Sequence, residues 1–190
     1  MIVGLFFGSF NPIHQGHLII AEQVLSIGKL DEVWFVVSPQ NPLKDKKSLL
    51  GEYDRLHMVQ EAIWSNEKFK ACSIEFNLPK PSYTIDTLAH LGEKYPQHQF
   101  SLIMGSDSYL SLPKWKNFHS IINNYKIIVY PRSTSDSTKI ENNSNTVVCQ
   151  VPLLNVSASY IRYCIQEGIS IRYLVPDNIK ELIEASHWYR

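Results

Sequence analysis

Residues 2–17, "IVGLFFGSFNPIHQGH", decide how the whole chain is read. The first six are an uninterrupted apolar run, the pattern of a strand buried on both faces of a parallel sheet. A turn follows with two glycines, a proline and two histidines three positions apart. Beyond Gly16 the apolar residues Ile20, Ala21, Val24 and Leu25 fall on one helical face. A strand therefore hands over to a helix across 8–17. In an open α/β sheet that carboxyl edge is where ligands bind, so the surplus of special residues points to chemistry.

Each of those residues has a physical use. Glycine at 8 admits a ligand or another backbone where a Cβ would intrude. Pro12 fixes part of the turn and cannot continue strand pairing. Gly16 lets the helix begin close against something bulky, and the helix start offers free N–H groups to an anion. His14 and His17 flank that start. Imidazole N–H groups suit the oxygens of a polyphosphate, and a charged ring would stabilise developing negative charge. The motif is neither G-x-G-x-x-G nor a G-K-[ST] loop, which sets aside two common nucleotide fingerprints. A metal pair at i, i+3 stays open, without a clear third ligand.

The strand-to-helix alternation continues along the chain. "EVWFVVS" (32–38), "FSLIMG" (100–105) and "KIIVY" (126–130) read as further buried strands, while "KACSIEF" (70–76) alternates and suits an edge strand. Helical patterns occupy 52–65 and 84–95. After a polar stretch at 132–145, expected to be a surface loop, "TVVCQV" (146–151) leads to two or three helices over 157–186. Gly28 and Gly168 read as helix stops and Ser157 as a helix start, with Tyr160, Ile161, Cys164 and Ile165 able to face the core. The expected fold is α/β: a doubly wound, mostly parallel, Rossmann-like sheet. Helices cover both faces, a small helical segment closes the chain, and 1–190 form a single domain.

Composition narrows the function classes. With 190 residues, 44% of them hydrophobic, the chain can bury one good core. Eighteen Lys and Arg balance eighteen Asp and Glu, which disfavours a protein that grips a nucleic-acid backbone but allows a local basic pocket. The cysteines Cys72, Cys149 and Cys164 form no C-x-x-C pair and read as core residues in a reducing cytosol. The run at 2–7 is too short for a signal peptide, and nothing approaches the roughly 20 apolar residues of a membrane span. A soluble, cytoplasmic protein is expected.

"GSFNPIHQGH" (8–17) resembles the G-[ST]-F-[DN]-P-x-H-x-G-H signature of a nucleotidyltransferase superfamily that releases pyrophosphate from a nucleoside triphosphate. "PKPSYTIDTLAHL" (79–91), "IMGSDSYLSLPKWKNF" (103–118) and residues 155–190 resemble bacterial nicotinate-nucleotide adenylyltransferases, in order and over nearly the whole chain. Phosphopantetheine adenylyltransferases share the first and last motifs but not P-S-Y-T or L-P-x-W.

The resemblance implies transfer of AMP from ATP to nicotinate mononucleotide, giving deamido-NAD and pyrophosphate, with Mg²⁺ accompanying ATP and no protein metal ligands. A phosphate monoester, with a second pKa of about 6, is already largely dianionic, so no general base is needed. Positioning and charge neutralisation suffice. By the same resemblance Gly8, Ser9, Phe10 and Gly105 line the ATP site, and His14 and His17 contact the phosphates, with His17 nearest the reacting phosphorus. Lys44 and Arg162 supply catalytic cations, while Ser157, Ser159 and Arg162 close on the triphosphate from the opposite side.

Read without the family, Ser157 and Arg162 are equally an N-cap and a surface arginine. Arg55 matches a basic position or pairs on the surface. Thr84, Asp107, Trp115 and Lys116 are implied to bind the mononucleotide. An indole stacks on the pyridine ring, backbone N–H groups near Thr84 and Lys116 meet the carboxylate, and Asp107 accepts from ribose hydroxyls or caps the next helix. Asn11, Leu43 and Lys116 stand where relatives often carry aspartate, histidine and tyrosine. The expected partners are the two substrates, with no nucleic acid or membrane and with a homo-oligomer left open. A nucleotide sensor or RNA-binding module without turnover fits less well, given the neutral composition and the intact H-x-G-H.

Overall fold

A computed structural model describes residues 1–39, 49–132, 140 and 144–190. The strands are β1 (Ile2–Gly8), β2 (Glu32–Val37), β3 (Phe69–Cys72), β4 (Gln99–Gly105), β5 (Lys126–Tyr130) and β6 (Thr146–Val148). The helices are α1 (Gln15–Ile27), α2 (Glu52–Ile63), α3 (Thr84–Lys94), α4 (Ser106–Ser111), α5 (Phe118–Asn124), α6 (Ala158–Gln166) and α7 (Asp177–Ser186). Strands pair in the order β3-β2-β1-β4-β5-β6, each neighbouring pair parallel. The chain winds outward from β1 to one edge, then returns to the other side of β1. The crevice at such a switch point opens between the carboxyl ends of β1 and β4, where Gly8 and Gly105 lie.

Successive side chains of a strand point to opposite faces, so each central strand feeds two cores. Phe6, Phe35, Ile103 and Ile128 meet Ala21, Val24 and Leu25 of α1, Met58 and Val59 of α2, Ile161 of α6 and Ile179 of α7. Val3, Leu5, Leu102 and Ile127 meet Leu88 and Leu91 of α3 and Ile121 of α5. Burial on both sides is why these strands read as unbroken apolar runs.

Several details depart from expectation. The edge strand ends at Cys72, and residues 74–77 tighten into a 3₁₀ turn that carries Glu75 inward to 2% exposure. Residues 106–124 hold α4, a 3₁₀ turn at Leu112–Lys114 and α5, all too short to leave a helical period in the sequence. Gly28 is required for close approach, because a Cβ there would sit 2.6 Å from the Val24 carbonyl oxygen; the left-handed residue is Lys29 (φ 53°). Gly168, at φ 66°, does end α6 with a conformation that favours glycine. Tyr160 is half exposed, so the core face of α6 is Ile161 and Cys164, with Ile165 partly buried. Within the polar 132–145 stretch Ile140 is buried, while 133–139 and 141–143 lie outside the described residues. Among the described residues no helix is long and apolar enough to cross a membrane.

Candidate active site

The turn after β1 is built around its aromatic residue. Phe10 adopts a left-handed backbone (φ 46°) and drops its ring into the core against Phe6, Phe35 and His17, with the His17 ring 5.0 Å away. A Cβ on Gly8 would come within 2.8 Å of that ring. Glycine at 8 therefore makes room for Phe10, and not in the first place for a ligand. Gly16 has the matching role, because a Cβ there would lie 3.0 Å from the imidazole of His14. The bulky neighbour expected at the helix start is that histidine.

His14 occupies the N-cap position of α1 with extended backbone and is 6% exposed. Its ring stacks on that of His17, centroids 3.7 Å apart. The His14 backbone N–H donates to Nδ1 of His17 at 3.2 Å. An accepting Nδ1 leaves the neutral His17 ring with its proton on Nε2. The turn thus delivers one imidazole N–H donor of defined tautomer. Burial, and then the charge of Arg132, hold the His14 pKa down at about 4, so this ring is neutral at pH 7. The charged form considered for it from sequence is not the resting state.

That shift has a measurable consequence. The unfolded chain protonates His14 near pH 6.5 and the folded one only near 4. The unfolded state therefore binds more protons between these values, and stability present above pH 6.5 is lost as pH falls through this window. Denaturant titrations at pH 7 and 4.5 should differ by a His14 contribution on the order of 2 kcal/mol. His14→Asn should remove that part of the pH dependence; an unchanged slope would contradict the assignment.

Arg132 itself follows the end of β5. Its Nε lies 3.4 Å from Asp107 Oδ1, and its backbone N–H donates to Ser106 Oγ at 3.0 Å. Gly105 permits this pair, since a Cβ there would meet Asp107 Oδ1 at 2.6 Å and Arg132 Nε at 2.9 Å. Asp107 is not the cap of α4; Gly105 holds that position. Sequence reasoning passed over Arg132, although a cation just beyond a strand's carboxyl end was the available signal.

From the far end of the chain, α6 reaches the same turn. Ser157 caps it by accepting from the Tyr160 N–H at 3.2 Å. Arg162 donates from Nη1 to the Asn11 carbonyl at 2.8 Å and from Nη2 to Ser159 Oγ at 3.3 Å. Asn11 is 4% exposed, and its Oδ1 accepts from the Leu50 N–H at 3.2 Å and the Tyr189 hydroxyl at 2.9 Å. An amide oxygen takes both neutral donors without burying a charge, which accounts for asparagine here.

Beneath the turn Arg55 is fully buried. It donates to the carbonyls of Ser9 (2.6 Å), Ser38 (2.8 Å), Leu50 (2.9 Å) and Pro39 (3.1 Å). It is neither a ligand-facing cation nor half of a surface ion pair.

Thr84, Trp115 and Lys116 belong to the segments around α3 and α5, which pack on the second core. Thr84 opens α3. Lys116 Nζ lies 2.8 Å from Asp86 Oδ2 and 4.9 Å from the ring centroid of Tyr83. Trp115 follows the 3₁₀ turn and, like Ile85, lies partly buried against the second core. Asp107, in the first turn of α4, is half exposed and lies beside Arg132. Lys44 lies outside the described residues.

Residues 5–163 match the family described as Cytidylyltransferase-like. A Cytophaga hutchinsonii protein named "Probable nicotinate-nucleotide adenylyltransferase" is 51% identical over 189 residues, spanning 100% of this chain and 98% of that one. A Flavobacterium psychrophilum protein of the same name is 45% identical over 192 residues, spanning 100% of both. Among solved structures, Plasmodium falciparum nicotinic acid mononucleotide adenylyltransferase complexed with NaAD matches with a TM-score of 0.79 at 19% identity, over 99% of this chain and 97% of that one. That likeness is one of fold. The full-length identities go further, and the chain belongs to the nicotinate-nucleotide adenylyltransferases of the cytidylyltransferase-like family.

Proposed function

We propose that residues 1–190 work as one nucleotidyltransferase domain in which two sides of a crevice hold two substrates. The chain is a nicotinate-nucleotide adenylyltransferase, transferring AMP from ATP to nicotinate mononucleotide in NAD biosynthesis. A phosphate oxygen of the mononucleotide attacks the α-phosphorus of ATP, the bond from that phosphorus to the bridging oxygen breaks, and pyrophosphate leaves with the electron pair. Deamido-NAD remains. The observation that carries the division of labour is the stacked His14–His17 pair, joined across the turn to α6 by Arg162.

The His17 Nε2–H donates to an α-phosphate oxygen, where charge builds in the transition state, and His14 supports it and meets the neighbouring phosphate. Arg162, Arg132 and Lys44 offset the triphosphate charge, with Gly8, Ser9, Gly105, Ser157 and Ser159 lining its path. Mg²⁺ bound with ATP would lower the charge that the attacking dianion meets. The donors around the turn are imidazole, guanidinium and backbone N–H groups, which suit phosphate oxygens, whereas Mg²⁺ takes oxygen ligands. Free thiols at Cys72, Cys149 and Cys164 agree with a reducing cytoplasm.

Thr84, Trp115 and Lys116 take the mononucleotide, Trp115 by stacking on its pyridine. Pyrophosphate release with Mg²⁺, ATP and a panel of nicotinate mononucleotide, its amide counterpart and phosphopantetheine tests the acceptor. Only the first should turn over efficiently, and comparable kcat/KM for the amide would overturn the acid preference. Trp115→Ala should raise the acceptor KM about tenfold, the loss of about 1.4 kcal/mol of stacking and burial, with the ATP KM unchanged. A shift in the ATP KM alone would place Trp115 on the other side.

A further inference from the structure

We propose that Glu75 is a positioning residue that fixes the acceptor loop relative to the phosphate-binding turn. This rests on assigning Thr84, Trp115 and Lys116 to the acceptor. Glu75 sits in the 3₁₀ turn after β3 and is 2% exposed. Its Oε2 accepts from Ser82 Oγ at 2.9 Å and its Oε1 from Thr87 Oγ1 at 2.8 Å, and the Ser38 hydroxyl is a third donor. These hydroxyls come from three places: the loop before α3, the first turn of α3, and the end of β2.

The choice of residue is informative. A buried carboxyl with only neutral donors is costly, and burial pushes its pKa above the ordinary carboxylate range. An apolar side chain of similar size would serve stability as well or better. What the carboxyl provides instead is a set of directional bonds that converge on one point. One of them leads to the chemistry. The Ser38 N–H donates to the Gly8 carbonyl at 2.9 Å, and its own carbonyl accepts from Arg55, which also holds Ser9. A continuous path therefore runs from Gly8 through Ser38 and Glu75 to Ser82 and Thr87. It joins the turn that holds ATP to the loop that leads into Thr84. In-line transfer between two bound substrates depends on that distance, and a misplacement of about 1 Å can cost about 100-fold in rate.

Glu75→Gln keeps size and one accepting oxygen but turns an N–H₂ group towards a hydroxyl. Steady-state kinetics should show the acceptor KM raised and kcat lowered, each about tenfold, with the ATP KM within about twofold of wild type. Ser82→Ala, which removes a single loop hydroxyl, should raise the acceptor KM about threefold with little change in melting temperature. The double variant should be no worse than Glu75→Gln alone, because both act through one strut. Equal rises in both KM values, an unmoved acceptor KM, or multiplicative effects in the double variant would overturn the proposal. Trp115→Ala in the same assay separates the two levels. If it raises the acceptor KM and Glu75→Gln does not, only the strut fails; if neither does, the acceptor assignment fails with it.

Discussion

His17→Ala should lower kcat by about 10²–10³-fold while the fold stays intact, which is the expected effect of removing one preorganised donor from a site of developing charge. The two ring nitrogens have separate tasks, so the loss can be divided. Nδ1 accepts the His14 N–H and helps close the start of α1; Nε2 carries the proton proposed to meet the phosphate. Asparagine places a polar atom near the position of Nδ1, and glutamine places its amide nitrogen near that of Nε2. His17→Asn should therefore recover the stability contribution of the helix start, about 1 kcal/mol, without recovering rate. His17→Gln should recover part of the rate without that stability. Melting temperature and kcat measured on the three variants test this crossing pattern. A variant series in which rate simply follows stability would reduce His17 to a structural residue. A rise in ATP KM with kcat unchanged would mean that it binds ground state and transition state alike.

The sheet was legible because burial on both faces leaves a mark in each strand separately, and the turn at 8–17 was legible because its residues are neighbours in sequence. The supports of the site were not. Phe10 explains Gly8, His14 explains Gly16, and the Asp107–Arg132 pair explains Gly105; in each case the glycine was visible but its partner was not. Asn11 joins Arg162 and Tyr189, groups 151 and 178 positions away, and no local pattern encodes such a meeting. Two signals did exist. Arg55 falls on the helical face of Met58 and Val59, both wholly buried, and Glu75 interrupts an otherwise strand-like stretch. A charged residue at a position where the period demands burial has to be bonded to something. Periodicity gives its depth but never its partner.

Arg55 also sets the second large effect. Its guanidinium is fully buried and satisfied by four backbone carbonyls, three of them at the exits of β1 and β2. Arg55→Met keeps much of the apolar stem and removes the charge, together with its desolvation cost. The four carbonyls, however, lose their donor together. Breaking such a buried arrangement costs about 3–5 kcal/mol, a large part of the roughly 5–15 kcal/mol that holds a domain. The midpoint of urea denaturation should fall accordingly, with an unchanged slope if the unfolded state is unaffected. Arg55→Lys keeps the charge but replaces a planar fork with a single compact donor group that cannot span four acceptors, so it should recover less than half of the loss. The activity of Arg55→Lys, measured where it is fully folded, then isolates geometry from stability. The Ser9 carbonyl, now held at 2.6 Å, would be released beside the phosphates, and kcat should fall even with charge and fold retained. Full activity in that variant would mean that the turn keeps its shape without its brace.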